Sequence, residues 1–100
     1  MNVTIENSND MTIAHLEGRL DASVIAEVTP YFEQLQNVAD GTVMLDCKDL
    51  IYISSPGLRL FLTLRKAANA RGGKVIVKSL NNDVRQVFMI TGFLNMFKIQ

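Results

Sequence analysis

Apolar and polar residues alternate near the start of the chain. Val3 and Ile5 stand between polar neighbours, and Met11 to Glu17 repeats the pattern, with Ala14 and Leu16 on one side and Ile13 and His15 on the other. A period of two belongs to a strand with one covered face, so two short strands are predicted. The polar cluster Asn7–Asp10 supplies the turn between them. Gly18 is expected to end the second strand, leaving Arg19, Leu20 and Asp21 in a loop.

From Ala22 the period changes. Ile25, Val28, Phe32 and Leu35 recur at helical spacing. Pro30 lies inside that stripe and removes one backbone donor, so a single bent helix is predicted. Asp40–Gly41 reads as a turn, Thr42 to Leu45 as a buried strand, and Cys47 to Leu50 as a connection. Pro56 to about Arg71 gives a second helix, with Gly57, Leu60, Phe61, Leu64, Ala67 and Ala68 on its inner face, stopped by Gly72–Gly73. Val75 to Val77 forms the heart of another strand, Lys74 to Lys78. Asn81 or Asn82 caps a third helix that directs Val84, Val87 and Phe88 inward and ends at Gly92, before a last short strand at Phe97–Ile99. Strands alternating with helices after an opening hairpin define an α/β fold: a mainly parallel sheet with an antiparallel edge, and helices packed over it. At 100 residues the chain is read as one domain, residues 1–100.

Composition narrows the function. Ten basic and ten acidic side chains balance to a net charge of zero, without the clustered cations that nucleic-acid binding draws on. Cys47 is the only cysteine and His15 the only histidine, so an intramolecular disulfide and paired-cysteine metal sites are excluded, and no His/Cys site with ligand-like spacing is present. Cys47 reads as a packing residue and His15 as a surface or edge residue. No glycine-rich phosphate loop opens a helix, and Asp46 and Asp49 make a weak carboxylate pair, so no enzyme and no cofactor are expected. The first ten residues lack the pattern of a signal peptide, and Val87–Phe97 falls short of the ~20 residues of a membrane span. A cytoplasmic protein without membrane insertion is the expectation.

One segment carries chemistry. Between a strand and the second helix lie Ser54, Ser55, Pro56 and Gly57. Ser55 is expected to cap the helix, Pro56 to occupy its first position, and Gly57 to keep the first turn free of bulk. A hydroxyl at a helix N-terminus also suits phosphorylation, since the added charge meets the positive end of the helix dipole and unpaired N–H groups. Arg59, one turn on, can neutralise such a group or meet a carboxylate on a partner. A purely structural cap is the competing reading. Leu58 and Leu62 lie one turn apart, off the expected core face, and are candidates for partner contact, with packing under a neighbouring loop as the competing and preferred reading.

Three stretches resemble the STAS family of anti-sigma-factor antagonists and sulphate-transporter tails. Gly18–Arg19–Leu20–Asp21 looks like the family's Gly-x-Leu-Asp loop, and Val43–Leu50 like its central strand and exit. Tyr52–Leu58 is similar to its Asp-Ser-(Ser/Thr/Ala)-Gly-Leu signature, with Ser54 and Pro56 as departures. Val87–Phe93 and Phe97–Ile99 also fit, so the resemblance runs nearly the full length. It implies a regulatory module that antagonises an anti-sigma factor. An anti-sigma serine kinase would phosphorylate Ser55, a serine phosphatase would reverse it, and the unphosphorylated form would free a sigma factor. Asp21, Ser54, Pro56, Gly57, Leu58, Arg59 and Leu62 would make the partner surface, with a helix-entry cap as the competing reading of Asp21. The alternative is a constitutive STAS subunit of a membrane transport complex. A third possibility is nucleotide sensing near the serine loop.

Overall fold

The computed structural model describes residues 1–100. Strand β1 (Asn2–Ser8) and strand β2 (Met11–Leu20) form an antiparallel hairpin. Its turn residues Asn9 and Asp10 have φ of 51° and 64°. Two positive φ values in a two-residue turn match the right-handed twist of the strands, and Asn and Asp tolerate them better than most residues. A 3-10 turn (Ala22–Val24) leads into helix α1 (Ile25–Asn37), which carries Pro30 in its interior as expected. Strand β3 (Thr42–Ile53), helix α2 (Ser55–Arg71), strand β4 (Lys74–Lys78), helix α3 (Asn82–Thr91), a second 3-10 turn (Phe93–Asn95) and strand β5 (Lys98–Ile99) follow. The sheet order is β1-β2-β3-β4-β5, parallel throughout except for the first pair. This is the α/β architecture that the pattern predicts.

The helices cover one face. Val28, Phe32 and Leu35 of α1, Leu58, Phe61, Leu64 and Ala68 of α2, and Val84 and Phe88 of α3 all enter one core with Ala14, Leu16, Val43, Leu45, Val75 and Val77 of the sheet. Phe61 sits at its centre, with ring centroids 5.7 Å from Phe32, 5.8 Å from Phe88 and 6.3 Å from Phe97. Cys47 is buried as expected, and burial pushes its thiol up to about 12, which leaves it inert. No helix is long and apolar enough to cross a membrane.

Two boundaries differ from the sequence expectation. β2 does not end at Gly18 but runs on to Leu20, with Gly18 at φ 110° inside it. β3 does not give way to a connection at Cys47 but continues to Ile53, so Asp46 and Asp49 lie within a strand. The cause is visible in the register against β2: His15 pairs with Asp46 but Glu17 with Asp49, and Gly18 pairs with Leu50 but Arg19 with Tyr52. Each step gives β3 one residue more than its partner, which defines a bulge. The core-facing residues of β3 are accordingly Val43, Leu45 and Cys47, then Leu50 and Ile53. A spacing of two becomes a spacing of three wherever a bulge intervenes.

Candidate functional site

The extension of β3 carries its end beyond β4 and sets the start of α2 beside the end of β2. Ser54 joins the two. Its N–H and its hydroxyl both donate to the Leu20 carbonyl, at 2.9 and 3.0 Å, while its Oγ accepts from the Gly57 N–H at 3.3 Å. Ser54, not Ser55, is therefore the cap of α2, because only the residue before the helix has the extended backbone that aims a side chain at the first turn. Ser55 is the first helical residue and Pro56 the second, each one place further into the helix than the sequence suggests.

The shift of one position frees a hydroxyl. Ser55 is exposed, and the side-chain hydrogen bonds of this loop belong to Ser54. Gly57 is buried, and a Cβ there would stand 2.8 Å from Leu20 Cγ and 3.0 Å from Ile53 Cγ1. The first turn can settle against the two strand ends only because that side chain is missing. Leu58, expected off the core face, is instead 7% exposed and part of the core, and Leu62 is half-buried. The buried face of α2 is Gly57, Leu58, Phe61, Leu64 and Ala68, turned toward Leu58 and away from Leu60 and Ala67, which are half-buried. Arg59 is exposed one turn above Ser55.

Asp21 stands beside this loop, next in chain to Leu20. It accepts from the Ser23 N–H at 3.0 Å and from the Ser23 hydroxyl, capping the 3-10 turn. The Ser23 hydroxyl foremost, then its N–H and Arg19, hold the Asp21 carboxyl below the usual range. Two neighbours escaped the sequence reading. Arg19 lies over the Tyr52 ring, 4.5 Å from its centroid, and Ile51 is 58% exposed. The bulges turn Ile51 and Tyr52 outward, and the β-prone run Leu50–Ile53 was the signal that a strand, not a loop, held them.

The electrostatics bear on what the site can accommodate. A phosphate on Ser55 would find few free backbone donors, contrary to the simple expectation for a helix start. Pro56 has no N–H, the Gly57 N–H is taken by Ser54, and the Leu58 N–H closes the first helical bond to the Ser54 carbonyl at 2.9 Å. The helix dipole and Arg59 are what remain to favour the charge. The group would stay directed at solvent.

Elsewhere, His15 is on the sheet face away from the helices, where Nε2 meets Glu6 at 2.8 Å and Nδ1 meets Asp46 at 2.7 Å. Glu6 first and Asp46 second raise the His15 pKa, and the protonated ring donates to both. Burial works against the charge of Asp46, yet the Lys48 N–H and His15 keep its carboxyl below the ordinary range.

Comparison with known proteins agrees with this architecture. The family model for the STAS domain matches residues 2–100. BtrV of Bordetella bronchiseptica, a candidate anti-sigma factor antagonist, is 31% identical over 99 residues, which span 99% of this chain and 85% of that protein. Among solved structures, a candidate anti-sigma factor antagonist from Thermotoga maritima aligns with a TM-score of 0.88 at 20% identity, over 97% of this chain and 84% of that one. The Bacillus cell fate determinant SpoIIAA in its phosphorylated form aligns at 0.74 and 18% identity, over 99% and 91%.

Proposed function

The chain belongs to the STAS domain family, that of the anti-sigma factor antagonists, and on that footing we propose that it is a regulatory binding module switched by phosphorylation of Ser55. The observation that carries this reading is the division of labour between two adjacent serines. Ser54 takes the capping bonds, and the Ser55 hydroxyl is left exposed at the first position of α2. A serine needed for the cap could not be modified without loosening the helix; Ser55 can.

The partners in this reading are an anti-sigma serine kinase, which the unphosphorylated form binds, and a serine phosphatase that resets the switch. Asp21, Ser54, Pro56, Arg59 and Leu62 make up or flank the docking surface, while Gly57 and Leu58 shape it from beneath. Phosphorylation adds about −1.5 to −2 charge and considerable bulk to its centre. Since few backbone donors are free to absorb that charge, its effect falls on the surface that docks there.

The test is direct. Incubation of the chain with its anti-sigma kinase and ATP should add one phosphate to the intact mass, and Ser55→Ala should abolish the gain. Capture of the kinase by Ser55→Asp should be at least tenfold weaker than by the native chain. An unchanged mass, or a phosphate still accepted by Ser55→Ala, would remove Ser55 from the mechanism. Equal capture by Ser55→Asp would favour a constitutive subunit instead.

A further inference from the structure

The sheet face away from the helices holds a cluster that the site above does not use. Glu6, His15 and Asp46 stand on β1, β2 and β3 in turn, so one imidazole ring bridges two carboxylates across three strands. Nε2 lies 2.8 Å from Glu6 Oε1, and Nδ1 lies 2.7 Å from Asp46 Oδ2. A carboxylate oxygen only accepts, so both contacts are hydrogen bonds only while both ring nitrogens carry a proton. A neutral ring keeps one N–H and turns a lone pair toward the other carboxylate. One contact must then open.

The surroundings decide which. The Asp46 side chain is 15% exposed, and its second oxygen accepts from the Lys48 N–H at 3.1 Å. The Glu6 side chain is 55% exposed and makes no hydrogen bond except that to His15. Water can replace a partner more readily at the exposed carboxylate than at the one already held. Glu6 also belongs to the edge strand, which pairs with β2 alone. Two further side-chain bonds tie β1 to β2, one from Asn2 to Glu17 and one from Thr12 to Asn7. Of these three ties, only that between Glu6 and His15 depends on a ring proton.

We propose that this cluster is a proton-operated latch on β1, closed while His15 is protonated and opened at Glu6 when Nε2 gives its proton to solvent. The Nδ1–H still donates to Asp46, so β2 and β3 stay joined while the edge strand loses its hold. Glu6 foremost, then Asp46, raise the His15 pKa above its ordinary 6.5, so the proton leaves on the alkaline side of that value. The latch therefore contributes stability that is complete below about pH 6.5 and is lost as pH rises through the folded value. Other charges stand close: Glu17 and Asp49 line the same cleft as the ring, Lys48 follows Asp46 on β3, and Lys78 pairs with Asp46 from β4. Two acids against two bases leave the His15 proton as the charge that tips the balance.

His15 is the only histidine, so its ring protons give an isolated NMR titration of the intact chain. The native midpoint should lie above 6.5, and Glu6→Gln should lower it. Amide exchange reads the strand itself. From about pH 6 to about pH 9, the protection of β1 amides, corrected for intrinsic exchange, should fall about threefold or more while that of β4 holds. Glu6→Gln offers the neutral ring an N–H donor in place of an acceptor, so its β1 protection should stay level over the same range. A native midpoint at or below the ordinary value overturns the proposal, as does β1 protection that follows β4 at every pH. So does a midpoint that Glu6→Gln leaves in place, or a fall in β1 protection that persists in that variant. The native-chain measurements decide by themselves should a thermal melt show the variant unfolded. None of these readouts involves Ser55.

Discussion

At the start of α2, Ser54 accepts the Gly57 N–H and donates to the Leu20 carbonyl on β2; at the start of α3, Asn81 accepts the Val84 N–H and donates to the Leu50 carbonyl on β3. In each case one side chain caps a helix and ties it to the parallel neighbour of the strand that leads into it. The two helix starts differ in what surrounds that device. The third helical residue is Gly57 in α2 and Val84 in α3, both buried. The first turn of α3 holds Asp83 and that of α1 holds Glu27, whereas α2 has no acidic residue there. A carboxylate near a helix N-terminus stabilises it, so α1 and α3 carry permanently what α2 lacks. The same scaffold thus yields one finished helix start and one that can still receive a negative charge.

The largest expected effect concerns the third helical residue. Ala is a better helix former than Gly by about 1 kcal/mol, so an isolated helix would gain from Gly57→Ala. In this fold the added methyl would press on Leu20 Cγ and Ile53 Cγ1, neither of which is a free end. A net loss of about 1–3 kcal/mol is expected from overpacking, read as a lower urea midpoint. A gain would mean that the start of α2 is packed no more tightly than that of α3, and that part of the contrast would fail.

The caps come next. Asn81→Ala should cost about 1–2 kcal/mol and Ser54→Ala about 1 kcal/mol or slightly less, from paired urea titrations. The cap bond of Asn81 is shorter, 2.8 against 3.3 Å. After Ser54→Ala, moreover, the Leu20 carbonyl keeps the backbone N–H of residue 54 as a donor. The reverse order would show that the start of α2 leans on its hydroxyl more than the geometry implies.

Most of the architecture could be read from the pattern because alternation at Val3–Ile5 and Met11–Glu17, and the helical stripe through Phe32, report directly on which side is covered. The bulges of β3 could not. Cys47, Leu50 and Ile53 are three apart, a spacing that breaks the period of two by which a strand is recognised when the partner strand is unseen. Missing the bulges cost the exposed Ile51–Tyr52 pair and the stacking of Arg19 on Tyr52. The cap was misplaced for a related reason. Ser54 and Ser55 are chemically equivalent in a sequence, and only the carbonyl of Leu20, 34 residues away, selects Ser54. Leu58 sits at the edge of the apolar stripe of α2, three residues before Phe61, and the stripe alone does not tell which of its edges the core covers.

The smallest effect tests the charge contrast itself. Ser55→Asp should raise stability by about 0.3–1 kcal/mol at low salt, because it places the first carboxylate at the positive end of α2, with Arg59 one turn away. Asn82→Asp, at the equivalent first position of α3, should gain less, since Asp83 beside it already serves that dipole and repels a second negative charge. High salt should shrink the difference between the two variants, as screening weakens exposed charges at this range. The pair of urea midpoints at both salt concentrations decides. Equal gains would mean that Asp83 does not fill the dipole site of α3, and α2 would no longer be distinguished by its want of an acid. A larger gain at Ser55 would mean that the negative charge is accepted by the fold at little or no cost. Any loss of partner binding by the same variant must then arise on the docking surface and not from a weakened helix.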